Sequence, residues 1–286
     1  MAELDGLFDG QQPAENDKPE GSVSGKEEWQ IKREQARTEA FELLETATEK
    51  LSDPATLTSL LDVMSRFDRY SVSNAILITG QMPTASRLAD FNFWKSHEVS
   101  IKKGERAVTI LEPREYARPD GTKGVSYDAK RVFDISQTTA KKNPPQRKPV
   151  DEKKLVHALT KTSPVVMKID NALPGGTNAL FSPETKSISV RQGMTGEEIF
   201  RALSLEIAKA RASMEGRPTD GFAVAAVAYV LCKRYDIPPV PLPETNPFEG
   251  KEPKETRAML KDIRSEANNM SAVISKALET KNRDAR

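Results

Sequence analysis

The sequence is short of the residues that build most metal and redox sites. It contains one cysteine, Cys232, and two histidines, His97 and His157, among 286 residues. A single cysteine excludes an intramolecular disulfide and a zinc site built from cysteines, and it fits a reducing compartment. No apolar run approaches the ~18 residues that a membrane-spanning helix needs, and the acidic N-terminus lacks a signal-peptide core. We therefore expect a cytoplasmic protein that makes no membrane contact.

The chain as a whole has no large excess of either charge, because its formal net charge is only +1. This excludes a protein that is basic along its whole length, but it leaves room for a local basic surface. Residues 1–28 hold eight acidic and two basic residues with few large apolar ones. Such a segment buries too little apolar surface to offset its ordering entropy, so we predict a disordered acidic tail over 1–28.

The remaining chain predicts an α+β fold in two domains, which agrees with its length. In the first domain, 29–140, apolar residues at helical spacing predict three helices, which start near Trp29, after Asp53 and after Ser71. Short β-like runs follow and predict a small antiparallel sheet. Its strands are Val99–Lys103, Ala107–Leu111, Val125–Tyr127 and Val132–Ile135, with turns at Lys103-Gly104 and Asp120-Gly121.

A basic, proline-rich linker over 141–150 separates this domain from a second one, 151–247. There we predict a helix, a strand over Val165–Ile169 and a hairpin that ends at Val190. Thr195 and Glu198 have the spacing of a capping box, which predicts a helix from Gly196 to about Met214. A nearly all-apolar helix from about Gly221 to Tyr235 follows, and the segment 248–286 predicts a polar C-terminal helix.

The clearest functional signal is a mixture of basic and aromatic residues in the first domain. Between residues 95 and 148 there are thirteen Lys or Arg and seven Asp or Glu. Single-stranded nucleic acid is bound by this combination, since cations contact the phosphates and flat rings stack on the bases. The alternative is that most rings lie in the core and the cations cover a solvated sheet.

One ordered string of residues favours the first interpretation. It contains Tyr70-Ser71-Val72-Ser73-Asn74, then Phe93-Trp94-Lys95, then Lys102-Lys103-Gly104-Glu105 leading into an aliphatic strand that ends at Pro113. This string resembles the N-terminal domain of ArdC-type antirestriction proteins and of related LtrC-like proteins of conjugative elements. The resemblance implies that the domain binds single-stranded DNA in a mobile-element or phage-related setting.

The resemblance and the residue types together give a candidate DNA site. Lys102, Lys103 and Arg106 lie at a turn with little packing duty, which favours phosphate contact. We expect Trp94 to lie partly in the core and partly at the surface, where it could stack on a base. Asn74 either caps its helix or hydrogen-bonds DNA. The full set of predicted DNA-binding residues is Arg69, Tyr70, Asn74, Trp94, Lys95, Lys102, Lys103 and Arg106.

The same family usually carries a zincin-like metallopeptidase domain after the DNA-binding domain. Its helix holds His-Glu-x-x-His, which places two histidines on one metal and a glutamate beside the bound water. Here Leu205 and Lys209 stand where the histidines would be, Ala223 or Ala225 replaces the third ligand, and only Glu206 survives. Glu206 would then pair with Lys209 or a nearby arginine, or be solvated. The resemblance thus implies a zincin-like α+β domain without metal ligands, peptidase activity or a cofactor.

Two other classes of function stay open at this point. The degenerate domain and the C-terminal helix could form a protein-interaction module that docks a partner. A metallopeptidase with an unrecognised site would have to combine His97, His157 and Cys232 with a carboxylate, although the two histidines lie far apart in the sequence. The leading prediction is a single-stranded-DNA-binding protein with a catalytically dead domain, in antirestriction or DNA protection.

Overall fold

The computed structural model of the chain describes residues 23–140 and 150–283. The N-terminal half begins with three helices, α1 (Val23–Glu49), α2 (Pro54–Arg66) and α3 (Val72–Gln81). Two of them start at caps expected from the sequence. The Asp53 carboxylate accepts from the Thr56 amide at 2.7 Å, and the Ser71 hydroxyl accepts from the Asn74 amide at 3.2 Å. Pro54 fills the first position of α2, where its missing N–H leaves no hydrogen bond unmade.

Helix α1 begins earlier than the sequence predicts. It starts at Val23, so residues 23–28 of the predicted tail are helical. The prediction is wrong there because apolar spacing detects only the part of a helix that packs. Burial begins at Ala40, whereas Trp29 and Ile31 are exposed. The Glu, Lys and Gln residues of this end lose little side-chain freedom in a helix. Residues 1–22 of the predicted tail lie outside the described residues.

The first sheet has the strands β1 (Leu88–Ala89), β2 (Val108–Ala117) and β3 (Lys123–Asp134), and a short helix α4 (Phe91–Ser96) follows β1. The strand order is β1–β3–β2, and all pairings are antiparallel. Strands β2 and β3 form one long hairpin, and Gly121 in its turn has a φ of +80°, which glycine adopts without strain. The two short strands predicted at 125–127 and 132–135 are therefore one continuous strand.

The predicted hairpin between 99–103 and 107–111 is wrong. Ile101 makes a single bridge with Thr138, and the Lys102 amide donates to the Gln137 carbonyl at 2.9 Å. The turn at Lys103-Gly104 exists, with a φ of +86° at Gly104, but it joins a loop to β2. The reason is competition, because β2 pairs with β3 along one edge and its other edge is bound at Thr109 and Leu111 by side chains of α3.

Helix α3 covers the outer edge of β2. The Asn74 side chain donates to the Leu111 carbonyl at 2.9 Å and accepts from the Leu111 amide at 2.8 Å. Gln81, two turns later on α3, makes the same pair of hydrogen bonds to the backbone of Thr109, both at 2.9 Å. The two amides replace a neighbouring strand, so they block this edge against pairing with another chain.

The C-terminal half contains α5 (Glu152–Thr160), the strands β4 (Val166–Ile169), β5 (Ala179–Ser182) and β6 (Ser187–Val190), and the helices α6 (Gly196–Met214), α7 (Phe222–Arg234) and α8 (Pro253–Arg283). The sheet order is β4–β6–β5, with β4 parallel and β5 antiparallel to β6. The capping box of Thr195 and Glu198 is formed, and α6 has its predicted bounds. The mixed α+β architecture predicted from the sequence is confirmed.

The two halves share one buried apolar cluster, in which α2 and α3 pack against α7 and α8. At this junction the Tyr229 hydroxyl donates to the Asp62 carboxylate at 2.9 Å, and Lys233 lies 3.1 Å from the same oxygen. The apolar side of α8, which includes Ile263, Met270 and Ile274, is buried inside the molecule. Among the described residues of α8, the exposed side is mostly polar, with Val273 as its exposed large apolar residue. Among the described helices, none has the length and apolarity of a membrane span.

Candidate nucleic-acid interface

One buried carboxylate organises the part of the first sheet where the predicted cations lie. Asp134, at the end of β3, is 1 % exposed. Its oxygens accept from the amides of Ser86 and Arg87 at 2.7 Å and of Ser136 at 3.0 Å. Burial by itself would raise the pKa of Asp134. The backbone donors together lower it by a larger amount, so the pKa lies below its ordinary value. Asp134 thus fixes the start of β1 against the 3-10 turn over 135–137.

Gln137, in that turn, fixes a second basic segment. Its Oε1 accepts from the Asp134 amide at 2.8 Å, and its Nε2 donates to the Arg106 carbonyl at 2.7 Å. Lys102 joins the same turn, because its Nζ donates to the Ser136 carbonyl at 2.8 Å. The segment of Arg87 and the segment of Lys102 and Arg106, which are distant in the sequence, therefore meet at one turn.

Helix α4 places aromatic rings beside these cations. Asp90 caps it by accepting from the Phe93 amide at 2.8 Å. One turn apart on the helix, Phe93 and His97 stack with ring centres 4.2 Å apart. The Arg87 guanidinium lies 5.9 Å from the ring centre of Phe93, which is a cation–π distance. Lys95 is likewise 5.9 Å from the ring centre of Phe91.

The loop between α2 and α3 carries Arg69 and Tyr70. Arg69 is exposed, and Tyr70 is half-buried, with its ring edge-on to Phe67 at 5.5 Å between centres. Burial raises the pKa of the Tyr70 hydroxyl, and the charges of Lys130 and Asp90 act on it in opposite directions. Since Asp90 caps α4, this loop lies near the start of the aromatic helix.

The structure gives two of the predicted DNA-binding residues a role inside the fold, so we leave them out of the candidate surface. Trp94 is 3 % exposed, and its Nε1 donates to the Phe133 carbonyl at 3.0 Å, so its ring cannot stack on a base. Asn74 is 6 % exposed, and both ends of its amide are bound to Leu111. Asn74 is also not the cap of α3, because Ser71 holds that position.

Pairing divides the basic residues of this half into two groups. On the long hairpin, Lys123 pairs with Glu115 at 3.0 Å, and Lys130 pairs with Glu112 at 2.7 Å. Arg114 lies 3.7 Å from Asp128, which also holds Arg33. A second group is exposed and has no carboxylate partner among the described residues, and it includes Arg69, Lys95, Lys102, Lys103, Arg106, Arg118 and Arg131. The first five of these are the predicted cations. Four further basic residues, Lys141, Lys142, Arg147 and Lys148, lie outside the described part.

The exposed or half-buried members of this region form what we call the basic–aromatic surface. It consists of Arg69, Tyr70, Arg87, Phe91, Phe93, Lys95, His97, Lys102, Lys103 and Arg106. Four members of this surface, Arg87, Phe91, Phe93 and His97, are absent from the residues predicted from the sequence. One signal could have found two of them: Phe93 and His97 are four residues apart after a capping Asp90, a spacing that stacks rings on one helix face.

The second half of the chain holds an ion pair at the position where the resemblance implies a metal. Glu206 is 5 % exposed and accepts from the Phe181 amide of β5 at 2.7 Å. Its other oxygen lies 2.9 Å from Lys209 Nζ, which is the first of the three environments expected from the sequence. Cys232 is fully buried, and burial raises the pKa of its thiol to about 11. Within 23–140 and 150–283, no cluster of three or more His, Cys, Asp or Glu side chains could hold a metal.

Fold and site together define an α+β protein whose N-terminal half presents an exposed basic and aromatic surface. Residues 33–160 match the family model of the N-terminal domain of anti-restriction factor ArdC. Residues 33–160 thus form an ArdC-type N-terminal domain, which confirms the resemblance inferred from the sequence for this part of the chain.

The other comparisons are more distant. Over 97 residues, 32 % of this chain, it is 30 % identical to an uncharacterised protein of Bacillus anthracis, and the match spans 16 % of that protein's length. The chain is also similar to the crystal structure of the antirestriction ArdC protein from plasmid R388 in its metal-free form. That likeness has 12 % identity and a TM-score of 0.48, and it covers 74 % of this chain and 86 % of the other. The Mn(II)-bound form of the same protein gives 11 % identity and a TM-score of 0.49, covering 77 % and 97 %.

Proposed function

We propose that the N-terminal half of this protein binds single-stranded DNA through the basic–aromatic surface. The observation that carries the proposal is the pairing pattern of the cations. On the long hairpin, Lys123 and Lys130 pair with carboxylates while Arg118 and Arg131 do not, whereas at the 102–106 turn and at Arg69 no cation has a carboxylate partner within the described residues. Exposed cations that lack a carboxylate partner are the groups that phosphates attract by releasing counterions.

The rings select single strands over duplex DNA in this proposal. Phe91, Phe93 and Tyr70 are half-buried, so each leaves part of its ring open, and Phe91 and Phe93 lie beside the cations of Lys95 and Arg87. A base in a duplex is stacked on both faces and cannot reach such a ring, whereas an unpaired base can, at ~1–3 kcal/mol per stacked base. Because stacking is tolerant of base identity, we expect weak sequence preference.

The biological role we propose is antirestriction or DNA protection on a mobile element. This rests on the ArdC-type N-terminal domain, whose family model is named for an anti-restriction factor. For the C-terminal half we propose a zincin-like fold without peptidase activity. Its support is that Lys209 places an ammonium beside Glu206, where the resemblance would place a metal cation.

Binding of labelled oligonucleotides to the full chain, followed by fluorescence anisotropy, tests the proposal. We expect a dT oligomer to bind at least ten-fold more tightly than a duplex of equal length. Phe93→Leu should weaken binding to the single strand by about 1 kcal/mol through lost stacking. Phe41→Leu is the matched control, because Phe41 is exposed on α1, outside the basic–aromatic surface.

Two results would contradict the proposal. One is equal affinity for single-stranded and duplex DNA, which would remove the role of the rings. The other is a Phe93→Leu variant that binds as tightly as the Phe41→Leu control. No measurable binding to any nucleic acid would favour the protein-interaction alternative.

A further inference from the structure

The C-terminal helix holds the backbone of the loop that carries Arg69 and Tyr70. The Asp68 carbonyl in that loop accepts from Arg264 Nη2 at 2.8 Å and from Asn268 Nδ2 at 3.1 Å. Both donors lie on α8, about 200 residues further along the chain. Through these two donors, the C-terminal half binds the backbone of the residue that precedes Arg69.

Asn268 is itself fixed by a buried arginine. Its Oδ1 accepts from Arg234 Nη2 at 2.6 Å, and the same Nη2 donates to the Met64 carbonyl at 3.2 Å. Met64 lies in the last turn of α2, where carbonyls have no partner inside the helix. Arg234 is 5 % exposed, so this linkage is shielded from water. Helix α7, helix α8 and the end of α2 are thus joined directly before the loop.

We propose that α8 is a positioning element for the DNA site, with Asn268 and Arg264 holding the 67–71 loop so that Arg69 and Tyr70 face the DNA. This inference rests on the proposed function. It gives the C-terminal half, which lacks the metal ligands of its family, a role in binding. The loop is short and joins two helices, so the orientation of the Asp68 peptide sets the direction in which Arg69 leaves the backbone.

The sharpest variant is Asn268→Asp in the full chain. It keeps the acceptor for Arg234 but replaces the donor to the Asp68 carbonyl with an oxygen that repels it. Asn269→Asp is the matched control, because it adds the same charge one residue away, at an exposed side chain with no hydrogen bond in the described part. We expect Asn268→Asp to bind a dT oligomer about 5-fold more weakly than the Asn269→Asp control.

A second readout separates positioning from a general loss of stability. If Arg69 loses its phosphate contact, the slope of log affinity against log salt should flatten by about 0.7 in Asn268→Asp. In a background that already carries Arg69→Ala and Tyr70→Ala, adding Asn268→Asp should change affinity less than 2-fold. Arg264→Lys, which keeps the charge but loses the Nη2 donor, should act in the same direction as Asn268→Asp.

Each outcome decides the inference. Equal affinity and slope for Asn268→Asp and Asn269→Asp would overturn it while the proposed function stands. The inference would also be overturned if Asn268→Asp weakened binding as much in the Arg69→Ala and Tyr70→Ala background as in the unsubstituted chain. If the unsubstituted chain does not bind single strands at all, the proposed function fails, and the inference fails with it.

Discussion

Asp134→Asn tests whether one buried carboxylate holds the basic–aromatic surface together. Asp134 accepts three backbone amides, and two of them share one oxygen. An asparagine keeps one acceptor oxygen, so at least one buried N–H loses its partner. Hydrogen bonds to a charged group are worth about 1.5–3 kcal/mol, so we expect the free energy of unfolding to fall by about 2–3 kcal/mol at pH 7.

The effect should depend on pH with a definite sign. The pKa of Asp134 is lower in the folded than in the unfolded chain, so its charge stabilises the fold above the unfolded pKa, near 4. That stability is lost as the pH falls through the folded pKa, since the carboxyl becomes protonated in both states. The difference between Asp134→Asn and the unsubstituted chain should therefore shrink below about pH 4.

Urea denaturation at several pH values, followed by circular dichroism, measures this difference. Asp120→Asn is the control: Asp120 also accepts an amide, from Thr122 at 2.9 Å, but it lies exposed in the hairpin turn. We expect that control to change stability by less than about 0.5 kcal/mol. A loss of less than about 0.5 kcal/mol for Asp134→Asn, or one that stays constant from pH 7 to pH 3, would refute the reasoning.

Three further predictions concern residues whose role the structure assigns. Trp94→Phe should cost about 1–3 kcal/mol by removing the buried hydrogen bond to the Phe133 carbonyl and part of the buried indole, yet bind single strands within 2-fold of the parent. Weaker binding at unchanged stability would contradict this. Lys209→Met should lower the free energy of unfolding by about 2–4 kcal/mol, because it leaves the Glu206 carboxylate buried without its cation. Adding Glu206→Gln should restore part of this loss, as measured by thermal melting. Unchanged stability in both variants would argue against the ion pair. Elemental analysis of the purified chain should find no stoichiometric zinc, and about one zinc per chain, lost on chelation, would overturn the proposed loss of the metal site.

The sequence was most informative where local chemistry decides the structure. The caps at Asp53, Ser71 and Thr195 act within three residues, so the helix starts that they define were predictable. The bounds of α6 follow from such a cap together with a continuous apolar stripe. The ArdC-type domain was also visible, because its residues are ordered along one short stretch.

Burial of individual side chains was not predictable in this way. Trp94 and Phe93 are adjacent and chemically alike, yet one is covered by the end of β3 and the other stays half-buried. Long-range pairing decides that difference, and spacing along the chain does not report it. The burial of Asn74 was not predictable for the same reason, because its partner Leu111 lies 37 residues away. The division of cations into paired and unpaired ones likewise depends on contacts across strands.

The most direct test of the account is the salt dependence of single-strand binding when the cations of the 102–106 turn are removed. In Lys102→Ala with Lys103→Ala, two phosphate contacts are lost, and the slope of log affinity against log salt should flatten by about 1.4. The control removes Arg118 and Lys123, two exposed cations at the turn of the long hairpin, of which Lys123 already pairs with Glu115. Its slope should match that of the unsubstituted chain. An unchanged slope in the first variant, or an equal change in both, would contradict the assignment of this turn to the DNA phosphates.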